Sequence, residues 1–223
     1  MGWGYDMTEI TLIRHGQANS GARSEADYDR LSVLGSQQAR WLGEHLEQTG
    51  GFDRVLSGTL NRQRQTAEGM NLADRPHHVD PRLNELDYFT LSQVLEDRHG
   101  IPFPDGSEAF AAHVPQVLEI WRQGHAGPDH ESYDGFRSRV LGAIKDAAAD
   151  GPGAVLVTST GVIATLCALA LGLETVMKAR MFLKVLNTSV HRFEIQGGTL
   201  HLNQFGATPH LDLPARQGAR THY

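Results

Sequence analysis

Apolar residues along this 223-residue chain follow two rhythms. Short runs bounded by polar turns, Ile10–Ile13, Arg54–Ser57 and Ala154–Thr158, have the length of buried strands. Between them lie longer stretches with helical spacing. Ser32 caps a helix whose apolar side includes Leu34, Trp41, Leu42 and Leu46, and Gly58–Thr59 turn the chain into a helix over Leu60–Met70. His77–Val79 reads as a further strand, followed by Leu83-Asn84-Glu85-Leu86, an acid between apolar residues near an element end. Leu91–Gln123 is helical with a break at Ile101–Gly106, where Pro102, Pro104 and Gly106 cluster and Ser107 caps the next helix. Helices over Ser132–Ala149 and Gly161–Leu171 flank the strand Ala154–Thr158. Thr188–Ile195 and Thr199–Phe205 alternate around Gly197-Gly198 as a terminal hairpin.

Strands and helices alternating in this way predict an α/β fold, a three-layer α/β/α sandwich with a mostly parallel sheet. The length suits a single domain over 1–223, with a cover segment at about 88–130 and an irregular tail at about 206–223. Formal net charge is −6, which argues against a surface built for nucleic acid or an anionic membrane and requires any cationic pocket to be local. Cys167 is the only cysteine, so no internal disulfide forms, in keeping with a cytoplasmic location. Met1–Asp6 lacks the basic and apolar regions of a secretory signal. The apolar stretch Ala154–Leu173 is interrupted by Thr158–Gly161, so it divides into a strand, a turn and a helix instead of spanning a membrane.

The first strand ends on Arg14-His15-Gly16. In α/β proteins the carboxyl end of a strand is where ligands sit, and a glycine there allows a sharp turn. A neutral imidazole attacks phosphorus through one ring nitrogen while its other N–H is held, and an adjacent guanidinium grips phosphoryl oxygens in pairs. Arg62 repeats the layout at the start of the helix after the second strand, where a cation opposes the macrodipole and so favours a bound anion. Each residue also has a plainer reading. A strand-end histidine is often structural, a helix-start arginine is often solvated, and Glu85 between leucines is equally a salt-bridged rim residue.

Three separated pieces together, Leu12-Ile13-Arg14-His15-Gly16-Gln17-Ala18, Leu56–Ala67 and Leu83-Asn84-Glu85, resemble the histidine phosphatase superfamily, which includes the phosphoglycerate mutases. Leu31–Ala39 is similar to the family's first helix entry. The resemblance covers residues 8 to 205 and implies a phosphoglycerate mutase-like fold. It implies His15 as nucleophile, forming a phosphohistidine, and Glu85 as proton donor to the leaving alkoxide. Arg14 and Arg62 would cradle the phosphoryl oxygens, with Gln17 and Asn19 in the following loop as further donors. The expected reaction is hydrolysis of a small phosphorylated metabolite in the cytoplasm, with phosphate or another oxyanion in the site and no cofactor or metal. The alternative is a catalytically impaired module that binds a phosphate ligand or a protein; a phosphoglycerate-type mutase ranks below both.

The chain departs from the family at Leu156–Ile163. Where the family carries a second histidine, alignment on Gly161-Val162-Ile163 places Ser159, which donates only a neutral hydrogen bond. Three accounts stay open. Ser159, Thr160 and the helix start after them form the anion cradle; or the serine was introduced to trap a complex; or another histidine fills the gap, His210 in Thr208-Pro209-His210-Leu211 being the candidate. Among the other histidines, His77-His78 are adjacent, and His125, His130, His191 and His201 show no metal-ligand spacing.

Overall fold

The computed structural model describes residues 7–19, 22, 24–72 and 74–222; Met1–Asp6 lie outside the described residues. Strand β1 (Met7–Arg14) is followed by a short helix α1 (Glu25–Tyr28), helix α2 (Val33–Thr49), strand β2 (Arg54–Ser57), helix α3 (Asn61–Gly69) and strand β3 (His77–Val79). A 3-10 turn, Pro81–Leu83, leads to helices α4 (Tyr88–His99), α5 (Ser107–Arg122) and α6 (Tyr133–Ala149). Strand β4 (Ala154–Thr158), helices α7 (Thr160–Leu171) and α8 (Thr175–Phe182), and the hairpin β5 (Val190–Gln196) and β6 (Thr199–Ala207) complete the order.

The six strands form one sheet in the order β3-β2-β4-β1-β5-β6. Strands β1 to β4 are parallel, and β5 joins β1 antiparallel, so the sheet is mostly parallel as the alternation predicts. Period-two side-chain alternation divides the core. Ile10 and Leu12 of β1, with Ala154 and Leu156 of β4, face the cluster under α4 to α7. Ile13, Val155 and Val157 face the opposite cluster with Val55, Leu42, Leu46 and Ala67. Every residue of β4 is buried, which explains why it reads as an unbroken apolar run. No helix among the described residues is long and apolar enough to cross a membrane.

Several expectations shift. Ser32 caps α2 by accepting from Gly35 N, as its position predicts, but the buried stripe is Gly35, Gln38, Ala39, Leu42, Gly43 and Leu46. Leu34 and Trp41 are only half-buried, because α2 approaches the chain through its small residues and Trp41 lies beneath the guanidinium of Arg216, 4.8 Å from the ring centroid. Gly106, not Ser107, precedes α5, since its φ of 83° suits a residue without a side chain. Glu85 follows a 3-10 turn and not a strand. Helix α8 was not anticipated, and the tail forms 3-10 turns over Pro209–Leu211 and Pro214–Ala219.

The close approach of α2 fixes the loop after β1. A Cβ on Gly35 would stand 2.1 Å from Gln17 O, and one on Gly16 would stand 2.6 Å from Gly35 O. Gly35→Ala is therefore expected to destabilise the fold by about 1–3 kcal/mol despite its better helix propensity. Gly218→Ala, with open space around the new atom, should stay within about 0.5 kcal/mol. Denaturant unfolding of the two variants checks this, and equal stabilities would contradict the packing account.

Candidate functional site

The carboxyl ends of β1, β2 and β4 open on one cavity of about 360 Å³, whose wall includes Arg14, His15, Arg62, Glu85 and Thr160. β1 delivers the first two. The ladder with β4 continues one step beyond the strand through His15 N donating to Thr158 O at 2.9 Å, so the imidazole starts from a fixed backbone. Its Nδ1 lies 2.8 Å from Gly16 O. A carbonyl only accepts, so Nδ1 carries the proton and Nε2 keeps its lone pair. His15 is 2% exposed. Burial, then the charges of Arg62 and Arg14, push its proton affinity well below the usual histidine value, leaving a neutral ring at pH 7.

The two arginines are held from opposite sides. Arg14 Nη1 donates to Val185 O at 2.5 Å. Arg62 Nη1 pairs with Glu25 Oε1 at 2.5 Å and Asp29 Oδ1 at 3.1 Å, and its guanidinium lies 4.8 Å over the Tyr28 ring. Asp29 also accepts from the Asn61 and Arg62 backbone N–H groups, capping α3 where no side chain of its own does. Burial lowers the Arg14 pKa; at Arg62 burial acts the same way, but Glu25, Tyr28 and Glu85 together more than offset it and the net shift is upward. Arg14 Nε and Arg62 Nε are both buried and find no hydrogen-bond partner among the described residues. Two guanidiniums sharing a cavity with donors to spare have the chemistry to hold an anion.

Glu85 faces them from the loop after the 3-10 turn. Thr158 Oγ1 and Gln63 Nε2 donate to Leu83 O, and Arg139 Nη1 donates to Asn84 O, so the two residues before the acid are clamped. Gly161 N, at the start of α7, donates to both carboxylate oxygens at 2.9 and 3.0 Å, and Leu86 N donates to Oε1. Burial outweighs these bonds and raises the Glu85 pKa above the ordinary carboxylate value, as suits a proton donor.

Other expected ligands stand differently. Gln17 Oε1 accepts from Ser32 Oγ, and Asn19 Nδ2 donates to Asp27 O; neither residue lines the cavity. Ser159 is fully buried off the cavity wall, its hydroxyl accepting from Gln63 Nε2 at 2.8 Å, whereas Thr160 lines the cavity. His210 is also off the wall, with Nε2 2.9 Å from Thr188 Oγ1. The tail does reach the site, but through His222, which lines the cavity. Glu25, Tyr28 and Asp29 were likewise missed, because Gly21–Arg30 reads as a polar loop. α4, α5 and the chain between them bring Tyr88, Phe89, Phe103 and Phe110 to the wall, with Phe89 and Phe103 stacked at 5.7 Å.

The family model for the histidine phosphatase superfamily (branch 1) matches residues 10–208. Comparison with curated proteins finds no match. Among solved structures, YhfR of Bacillus stearothermophilus is 22% identical, with 91% of this chain and 98% of that one covered at a TM-score of 0.66. A putative alpha-ribazole-5'-P phosphatase of Escherichia coli is 23% identical, with 90% and 97% covered and a TM-score of 0.65. A mutant phosphoserine phosphatase of Entamoeba histolytica, solved in complex with phosphoserine, is 21% identical, with 92% and 99% covered and a TM-score of 0.64. At these identities the likenesses establish the fold.

A Cβ on Gly161 would stand 2.2 Å from Glu85 Oε1 and 2.5 Å from Leu86 Cδ2. Gly161→Ala should displace the carboxylate and lower kcat on an alkyl phosphate by about a hundredfold, similar to Glu85→Gln. The double variant should then be no slower than Glu85→Gln alone, while fully additive losses would contradict a shared origin.

Proposed function

Because the chain belongs to the histidine phosphatase superfamily, we propose that it hydrolyses phosphomonoesters of small metabolites through a phosphohistidine on His15. The observation that carries this reading is a neutral, Nδ1-protonated imidazole sharing one cavity with two guanidiniums that have unpartnered Nε donors. In the first step His15 Nε2 forms a bond to phosphorus as the ester P–O bond breaks, and Glu85 gives its proton to the departing alkoxide. In the second, Glu85 takes a proton from water, whose oxygen attacks phosphorus as the P–N bond breaks, releasing phosphate and restoring His15. Arg14 and Arg62 offset the charge on the equatorial oxygens throughout. The incoming phosphoryl group competes with Glu25 for Arg62.

The cavity's other wall bears on the substrate. Tyr28, Phe89 and Phe103 stand in a contiguous row from His15, with ring separations of 6.2 Å for His15–Tyr28 and for Tyr28–Phe89, and 5.7 Å for Phe89–Phe103. Such a row suits a phosphate ester whose remaining part is apolar or ring-bearing. The cytoplasm, where Cys167 stays reduced, is the proposed place of action. In this reading Ser159 occupies the place of the family's second histidine, and its engagement by Gln63 favours slow turnover. That same observation supports the second reading, a phosphate-binding module with impaired catalysis.

Turnover of an aryl phosphate and an alkyl phosphate tests the proposal. His15→Ala should lose at least about a thousandfold in kcat/KM. The pH dependence follows from the two opposed shifts. His15 works when neutral, and its lowered pKa keeps it so below pH 6.5; Glu85 works when protonated, and its raised pKa keeps it so above pH 4.5. The alkyl phosphate should therefore be cleaved fastest on the acidic side of neutrality, and Glu85→Gln should remove the basic limb. Activity that survives in His15→Ala would reject the nucleophile.

A further inference from the structure

Two wholly buried amide side chains tie the C-terminal tail to the loop that carries the nucleophile. Gln38, on α2, accepts from Gln17 N through Oε1 and donates through Nε2 to Ala219 O at 2.7 Å and Thr221 Oγ1 at 3.1 Å. Asn187, before β5, donates through Nδ2 to His15 O, accepts from Thr221 Oγ1 at 2.8 Å, and donates through its backbone N to Thr221 O at 2.8 Å. Both amides are 0% exposed. Burying such groups costs free energy unless their hydrogen bonds are made, and here the tail completes them. The place of residues 219–221 is therefore specified by the same contacts that position His15, and the residue delivered next is His222.

His222 lies on the cavity wall with Arg14, Leu183 and Val185. The Val185 carbonyl that accepts from Arg14 also faces the His222 ring, and Arg14 and Lys184 are the cations close enough to disfavour its charge. Of the residues that sequence offered for a second donor, Ser159 is engaged with Gln63 and His210 with Thr188, while Thr160 lines the cavity but brings a hydroxyl and no imidazole. We propose that His222 supplies the second imidazole of the site, contacting the phosphoryl group from the tail in place of a histidine after β4. This rests on the phosphomonoesterase reading above. Burial and the two cations keep the free ring neutral at pH 7, and a dianion in the cavity draws a proton onto it, so oxyanion binding is coupled to protonation at this residue.

The test compares the full-length chain with His222→Ala, His222→Gln and the pair His222→Ala/Ser159→His. Thr221 and Ala219 stay in place in all of them, so the tail keeps its anchors. With an aryl phosphate, His222→Ala should lose about a hundredfold in kcat/KM, the loss usual for one donor to a reacting oxyanion, and His222→Gln should recover part of it. Sulfate, a dianion at every pH used, should bind the parent chain more tightly as pH falls from 8 to 5, and His222→Ala should weaken that trend. A tail residue that only braced the fold would leave the pH trend of sulfate binding unchanged. Partial rescue by Ser159→His would identify the lost group as an imidazole near phosphorus. Should the parent chain turn nothing over, the phosphomonoesterase reading fails, while sulfate affinity still decides on His222. Turnover and sulfate affinity of His222→Ala within twofold of the parent overturn the proposal.

Discussion

Two guanidiniums held in one buried cavity beside an imidazole that must stay neutral form the constraint on which the neighbouring architecture depends. Taking such ions out of water costs several kcal/mol each unless partners are supplied. Arg62 receives Glu25 and Asp29 from the turn of α1, while Arg14 receives the Val185 carbonyl. Burial, reinforced by the positive field of the two arginines, keeps His15 unprotonated, and in the proposed reaction this leaves Nε2 available to attack without a separate base. In the proposed reaction an approaching phosphate dianion would relieve the repulsion between the arginines and turn the charge cost of the free protein into substrate affinity.

Close backbone approach then turns this electrostatic arrangement into a rigid one. Gly16 and Gly35 bring the loop after β1 against α2, and Gly161 lets the start of α7 reach the Glu85 carboxylate. Thr188 holds a φ of 55°, uncommon for a β-branched residue, and its N–H donates to Arg14 O at 3.1 Å. Its hydroxyl bonds the Asn187 carbonyl and His210. Strain of that kind persists when surrounding bonds over-determine it, and here the surrounding bonds belong to the strand that ends at Arg14 and to the tail. Packing and charge thus converge on the same few residues.

Much of this was legible in the sequence because local signals agreed with the tertiary outcome. β2, β3 and β4 have the bounds expected from the sequence, and Ser32 caps the helix it precedes. Arg14, His15, Arg62, Glu85 and Thr160 meet at one cavity although they come from different parts of the chain. What escaped notice depends on contacts distant in sequence. Glu25 and Asp29 sit in a polar stretch with no periodicity, and only the position of Arg62 gives them a task. Gln38 reads as one polar residue on a helix, yet its amide bridges Gln17 and Ala219. His210 is the tail histidine that sequence offers for the site, but a 3-10 turn buries it against Thr188, and the chain after the second 3-10 turn brings His222 to the cavity instead. No local pattern separates those two histidines.

The central claim is that phosphoryl transfer passes through His15 Nε2. Rapid mixing of the chain with a phosphomonoester, an alkaline quench that preserves phosphohistidine, and peptide mass spectrometry test it most directly. The account predicts a phosphoryl group on the peptide containing His15, appearing within the first turnover and decaying as substrate is exhausted. Turnover that proceeds with no phosphorylated His15 peptide at any time, or with the label on another residue, would contradict it.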